Sequence, residues 1–312
     1  MPPHIREIIE DRAGRVGFPA LKRAAAELAD AYRSGQPAGI DRIPSAERTA
    51  AYLATRMPAT YAAACAVLAE VRRLLEIRAI ESVLDVGAGT GAASLAAAEH
   101  FPGAAITMLD RDPAFAAAAR EFLPEATVLA KDARHMGAVP AHDLVIAAWS
   151  LNEIPAPIAR RLWQATRVAL VAIEPGTPAG FAAIRGIRSE LLAEGAHMLA
   201  PCPAGGACPI TEPDWCHFAA RVERSSLHRR LKEGGLGYED EKYSYVALCR
   251  EPVPMPAARV IRRPQHHPGL IELRLCTPQG LADKRAAKRD RDRFRQARRA
   301  GWGDPWSDAG IS

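Results

Sequence analysis

The chain predicts an α/β fold built on a parallel, doubly wound sheet. From residue 82 onward, short apolar runs of strand length alternate with stretches of helical periodicity. That is the pattern of βα units whose strands are buried on both faces. The first run ends in a glycine-rich turn that opens a helix, the usual place for a nucleotide-type ligand in such a sheet. At 312 residues and 48% hydrophobic content, the chain has room for more than one domain.

Residues 1–80 read as an alanine-rich helical domain. LKRAAAELADAYRS (21–34) and ERTAAYLATRM (47–57) place apolar residues at helical spacing. Pro58 ends or kinks the second, and ATYAAACAVLAEVRRLL (59–75) continues the pattern. Cys65 within it reads as a small core residue.

Residues 81–251 carry the alternation. SVLDVG (82–87), AITMLD (105–110), TVLAKD (127–132), DLVIAAW (143–149) and VALVAIEP (168–175) read as buried strands. TGAASLAAAEH (90–100), PAFAAAAREFL (113–123) and PIARRLWQATR (157–167) read as the helices between them. PAGFAAIRGIRSELLAEG (178–195) predicts a longer helix leading into a cysteine loop, and HFAARVERSSLHRRLKEG (217–234) a helix leading out. EKYSYVALCRE (241–251) is a late strand. Pro252, Pro254 and Pro256 then mark a linker into a small module, 252–312, where RVIRRPQHHPGLIELRLCTPQG predicts two short strands turning at His267–Pro268–Gly269.

The net charge of +5 is unevenly placed. Residues 250–312 hold fourteen Lys/Arg against seven Asp/Glu, whereas the rest is slightly acidic. KRAAKRDRDRFRQARRA (284–300) contributes Lys284, Arg285, Lys288, Arg289, Arg291, Arg293, Arg295, Arg298 and Arg299. With Phe294 as its only large apolar residue, this run reads as solvated or bound to a polyanion, and RNA contact is the expectation. Trp302 and Trp306 either stack on bases or pin the tail. The longest apolar runs are strand-sized, so no membrane span is expected. The charged start lacks the apolar core of a secretory signal, and a cytoplasmic protein with reduced thiols is expected. There, clustered cysteines point to metal or catalysis rather than disulfides.

In VLDVGAGTG (83–91) the glycines at 87, 89 and 91 let the backbone turn sharply and a ligand approach closely. A dinucleotide fingerprint would want glycine where Ala92 stands. The spacing, preceded by Asp85, instead resembles motif I of the class I S-adenosylmethionine-dependent methyltransferases. Asp110 ends the second strand, where an acid would accept ribose hydroxyls. Asp132 ends the third, where the resemblance implies a contact to the adenine amine. The predicted cofactor residues are thus Asp85, Gly87, Gly89, Gly91, Asp110 and Asp132. After strand four, AAWSLNEIP (147–155) has neither the Asn/Asp-Pro-Pro-aromatic box used on exocyclic amines nor a Pro-Cys nucleophile. Asn152 and Glu153 are weak catalytic candidates and equally good candidates to cap the next helix.

Cys202, Cys208 and Cys216 lie in PCPAGGACPITEPDWCHF (201–218). These spacings match neither zinc ribbons nor the ferredoxin run, and each is long enough to wrap something larger than one ion. Four thiolates would still suit zinc. The stretches CPAGGACPI, DWCHFAARVERSSLHRRLK, YEDEKYSYVALCR, YLATRMPATYAAA, AWSLNEIP, IEPGTPAGFAAIRGIR, LRLCTPQG and ARRAGWGD together span nearly the whole chain. They resemble the methyltransferase-like assembly factors of the mitochondrial small ribosomal subunit and their bacterial relatives. The resemblance implies a class I methyltransferase core with an iron–sulfur loop, a [4Fe–4S] cluster on four cysteines, S-adenosylmethionine binding, and association with small-subunit ribosomal RNA. It places three ligands at Cys202, Cys208 and Cys216, and favours Cys276 over Cys249 as the fourth. The family's Cys-Pro-His is here Cys-Pro-Ala, and His217 is a possible substitute ligand or a polar residue at a helix start. Four cysteines argue against radical chemistry, which needs an open iron. An RNA-binding assembly factor and an active RNA methyltransferase both fit this pattern.

Overall fold

The computed structural model describes residues 1–34, 43–76, 78–135, 139–151, 158–232 and 235–307. Its helices are α1 (Pro3–Val16), α2 (Phe18–Ser34), α3 (Ser45–Thr55), α4 (Met57–Leu75), α5 (Ala92–His100), α6 (Pro113–Phe122), α7 (Ile158–Gln164), α8 (Pro178–Ala193), α9 (Ser226–Lys232) and α10 (Arg291–Arg299). The strands ahead of the C-terminal module are β1 (Ser82–Val86), β2 (Ala105–Asp110), β3 (Thr127–Ala130), β4 (His142–Ala148), β5 (Thr166–Pro175), β6 (His197–Ala200), β7 (Phe218–Glu223) and β8 (Tyr238–Cys249). A second sheet holds β9 (Ala258–Val260), β10 (Gln265–His267), β11 (Leu270–Thr277), β12 (Gly280–Ala287) and β13 (Pro305–Trp306).

Two compact units make up the chain. One comprises Met1–Leu68, Glu81–Gly137 and Ala220–Glu241; the other comprises Ala69–Ile80, Ala138–Ala219 and Lys242–Ser312. In the first, α3 packs against α1 and α2, burying Leu21, Leu28 and Leu53. Its strands run parallel in the order β3-β2-β1, with Ser82 opposite Ala105 and Thr107 opposite Thr127. Asp112 starts α6 by accepting from the Ala114 and Phe115 amides, which satisfies two donors that the first turn leaves orphaned.

In the second unit β4 and β5 are parallel, and β8 lies antiparallel between β5 and β6. The orders 3-2-1 and 4-5-8-6, with one antiparallel strand inside an otherwise parallel-dominated sheet, are those of the class I methyltransferase fold. β1, β2, β4 and β5 are apolar because both faces are covered, whereas β3, expected to be buried, is exposed or half-buried at each of its four positions because it is the last strand in the order. The second sheet follows the order β10-β11-β9-β13, with β12 on β11. Its core is Ala258, Val260, Ile271, Leu273, Leu275, Ala286, Ala297 and Trp306, with Phe294 and Ala300 packed against it.

Two expectations are corrected. Residues 217–234 are not one helix: β7 occupies Phe218–Glu223, and α9 starts only at Ser226. Phe218, Ala220 and Val222 alternate inward with period two, and the Ser225 hydroxyl caps α9 by accepting from the His228 amide at 3.1 Å. Nor is the basic run 284–300 a solvated tail. Its first part is the end of β12, and Asp290 then caps α10 by accepting from the Arg293 amide. Phe294, Ala297 and Ala300, three apart, form a narrow apolar stripe onto the second sheet.

Candidate cofactor turn and cysteine site

The glycine turn is built as its sequence requires. Gly87, Gly89 and Gly91 have φ of +72°, +56° and +83°, the left-handed region that glycine enters without penalty. The amides of Gly87 and Ala88 both donate to the Leu109 carbonyl, at 2.8 and 3.1 Å, so the turn is tied to the end of β2. Gly91 has a second reason: a Cβ there would stand 3.3 Å from both Ala119 Cβ and Met108 Sδ.

Asp85 is fully buried below this turn. Its Oδ2 accepts from the Ser94 hydroxyl at 2.6 Å, while Oδ1 is buried with no partner among the described residues. Burial pushes its pKa up to about 7. Asp110 accepts the Gly89 amide at 2.7 Å on one oxygen and the Asp112 amide at 2.8 Å on the other. Burial raises its pKa as well, against the pull of those amides. Each oxygen keeps a second lone pair for a ligand hydroxyl. Asp132 differs: it is engaged by the Arg134 guanidinium, with Nε 2.9–3.0 Å from its two oxygens, and that contact holds its carboxyl down at about 2. A cofactor amine would have to share it.

Three side chains that sequence reasoning missed gather on the same unit. Arg48 of α3 pairs with Asp112 and lies 5.6 Å from the Phe115 ring, and Tyr52 stands 5.0 Å from that ring. Nothing in the linear sequence links α3 to the start of α6. Asn152 and Glu153 lie outside the described residues. Just before them, Trp149 adopts φ +53°, a strained backbone for a bulky residue, at the end of β4. The buried Glu174 accepts the Leu151 amide at 2.9 Å.

In the second unit Cys202, Cys208, Cys216 and Cys276 line one cavity of about 50 Å³, along with Phe181, Ile210 and Tyr245. Cys276 lies in β11, opposite Arg259 of β9. Burial, reinforced by neighbouring thiols, raises the pKa of Cys216 well above the ordinary value and that of Cys276 to about 12. Burial also raises Cys202, opposed by Arg188. No three of the four sulfur atoms lie mutually within 4.8 Å. Cys249 is elsewhere: it does not line the cavity, and its thiol donates to the Glu251 carbonyl at 3.0 Å.

Side chains fix the loop's backbone. Arg188 of α8 donates to the Ala204 and Gly206 carbonyls at 3.1 and 2.6 Å. Ser244 donates to the Cys216 carbonyl at 2.7 Å, and Trp215 Nε1 to the Gly176 carbonyl at 2.9 Å. His217 is not among the residues lining the cavity. Its ring stacks on Trp215 at 5.2 Å and meets the edge of Trp302 at 5.0 Å.

The predicted RNA-binding residues fall on β12, the turn after it and α10. Arg285 pairs with Glu272, Arg293 with Asp290 and Arg295 with Asp292. Lys284 lies on β12 facing Leu273 of β11. Lys288, Arg289, Arg291, Arg298 and Arg299 are exposed and carry no acidic partner among the described residues. Trp306 is buried in the module's core, which settles its part of the choice between stacking and pinning.

Among proteins of known sequence, the human mitochondrial ribosome assembly protein METTL17 is 27% identical over 290 residues, covering 81% of this chain and 61% of that protein. Trans-aconitate 2-methyltransferase of Escherichia coli O1:K1 / APEC is 34% identical over 86 residues, or 28% of this chain and 34% of that enzyme. The chain thus spans less than two thirds of either relative. Among solved structures, the plantazolicin methyltransferase BpumL with SAH aligns over 80% of this chain and all of its own, at 14% identity and a TM-score of 0.43. Magnesium protoporphyrin IX methyltransferase of Synechocystis PCC 6803 aligns over 62% of this chain and 80% of its own, at 16% identity and a TM-score of 0.40. The family model described as mitochondrial small ribosomal subunit Rsm22 matches residues 46–307, from α3 through the cysteine loop to β13, and the chain belongs to that family.

Proposed function

We propose that this protein is an RNA-binding assembly factor of the small ribosomal subunit, working in a thiol-reducing, cytoplasmic compartment. A structural [4Fe–4S] cluster on Cys202, Cys208, Cys216 and Cys276 would fix the basic C-terminal module. One observation carries the reading: Cys202, Cys208, Cys216 and Cys276, one buried and three half-buried, line a single cavity, and no three of their sulfurs lie mutually within 4.8 Å. Tetrahedral zinc, with Zn–S near 2.3 Å, draws its sulfurs to roughly 3.8 Å of one another. A four-iron cluster spreads its terminal thiolates farther. About 50 Å³ also exceeds the roughly 10–15 Å³ that one water needs. The donor set fits as well: all four side chains are thiols, which ligate iron as thiolates and release their protons on binding. When bound, the cluster supplies cross-linking of two chain segments.

The turn around Asp85, Gly89 and Asp110 fits S-adenosylmethionine. The unpartnered buried Asp85 Oδ1 can accept a cationic amine, and Asp110 can accept hydroxyls. The cofactor would supply a transferable methyl group. That same unpartnered carboxylate favours a second reading, active rRNA methylation, in which the pocket turns over.

Anaerobically purified protein should contain about four irons and matching sulfide. Cys276→Ser should lose them, and Cys249→Ser should keep them. One zinc and no sulfide would refute the cluster. Mapping modified nucleotides in small-subunit RNA with and without the protein decides between assembly alone and methylation: an unchanged map leaves assembly.

A further inference from the structure

Two arginines beside the cysteine cavity are almost wholly removed from water. Arg188 is 5% exposed and Arg259 is 1% exposed. A buried guanidinium is costly unless an anion meets it. Arg259 has one: it donates to Glu70 Oε1 at 2.9 Å, as well as to the carbonyls of Pro201 at 2.7 Å and Gly303 at 2.9 Å. Arg188 meets no carboxylate among the described residues. Its acceptors are the two loop carbonyls and the Cys202 thiol. Each arginine also keeps one buried nitrogen with no partner, Nε of Arg188 and Nη2 of Arg259.

Their positions are specific. Arg188 lines the cavity itself and holds the loop between Cys202 and Cys208. Arg259 holds the carbonyl of Pro201, next to Cys202, and stands opposite Cys276 across the β9–β11 ladder. One side chain therefore ties the first cysteine of the set to the last, although 74 positions separate them in sequence.

We infer that Arg188 and Arg259 form a buried cationic clamp, positioning the cysteine loop and its fourth ligand and compensating the negative charge of the group bound there. This rests on the cluster reading above. A cluster on four thiolates is an anion, and adding an electron makes it more so. The clamp should favour the loaded over the empty site, and the reduced over the oxidised form. Glu70 offsets part of that charge.

The test is a redox titration of the anaerobic full-length protein, followed by electron paramagnetic resonance with dithionite as reductant, together with the rate of iron loss to a chelator. Arg188→Gln should shift the midpoint potential to more negative values and speed iron loss several-fold. Arg188→Lys keeps the charge on a shorter side chain whose ammonium stops short of the Nη2 position that donates to both loop carbonyls, so its potential should stay near wild type while iron is lost faster. Glu70→Gln, which leaves both arginines in place, should shift the potential to more positive values. Should Arg188→Gln fail to fold, the lysine and Glu70 variants still decide the matter. A wild-type protein that holds its cluster, with all three variants at the wild-type potential and loss rate, would overturn the clamp and leave the cluster standing. Zinc without sulfide in the wild type would overturn both.

Discussion

Gly91 shows how tightly one position can be specified. Its φ of +83° would cost an L-residue about 1–2 kcal/mol, and a methyl group would press on Ala119 and Met108 as well. Gly91→Ala should lower stability by about 2 kcal/mol, read from denaturant midpoints. Gly89→Ala, whose Cβ meets only Phe115 at 3.9 Å, should cost about half that. Asp85 makes a prediction about pH. Its carboxyl titrates near 3.8 when unfolded and near 7 in the buried site, so the native state holds its proton more tightly. The stability this contributes is complete below about pH 4 and is lost as pH rises to 7. Asp85→Asn keeps an acceptor for Ser94 and removes the titration. Its stability relative to wild type should therefore rise between pH 4 and 7, by roughly 1–4 kcal/mol. Equal pH profiles for the two proteins would show that the buried carboxyl is already compensated. The residues of this turn were legible in sequence because glycine and aspartate have few other reasons to sit at that spacing. Arg48 and Tyr52 were not, because their partners, Asp112 and Phe115, are about sixty positions away.

At the level of elements, β1, β2, β4 and β5 could be read directly, since strands covered on both faces become unbroken apolar runs. Strand β7 could not: one of its faces carries Arg221 and Glu223, and the run into α9 mimics helical spacing. The same difficulty hid β12 and α10, whose inward residues are Ala286, Ala297 and Phe294 among many cations. Small apolar residues mark a buried face only once their partner is known, and here that partner is Trp306, 1% exposed. Trp306→Ala should cost about 3–5 kcal/mol and loosen α10, visible as lost amide protection over residues 291–299. Protection unchanged from wild type would place the module's anchor elsewhere. Cutting the chain at 284 would remove the second half of β12 together with α10 and Trp306, so it would unfold the module rather than merely shorten a tail.

For the whole molecule, RNA binding is therefore best probed by charge and not by truncation. Replacing Lys288, Arg289, Arg291, Arg298 and Arg299 by Gln leaves the module's core untouched. If each contacts a phosphate of single-stranded RNA, the logarithmic salt slope of binding should flatten by roughly three to four units. An unchanged slope would move the RNA surface away from α10. The uneven composition leads to the expectation of a polyanionic partner, and the four cysteines are singled out by their type and a family resemblance. The sequence could not announce that they share one cavity, because that convergence depends on β9 lying against β11.

The division of the cysteines between two stretches of chain has a consequence in time. Translation delivers Cys202, Cys208 and Cys216 together, and Cys276 sixty residues later. At about 5–20 residues per second, that interval lasts roughly 3–12 s. During it a nascent chain can offer three thiolates but not four, and Arg259, which ties Cys202 to Cys276, is also still to come. The cluster proposed here would lack its fourth thiolate, Cys276, during that interval. On the cluster reading, completion of the site would have to wait until Arg259 and Cys276 have followed the three-cysteine loop out of the ribosome.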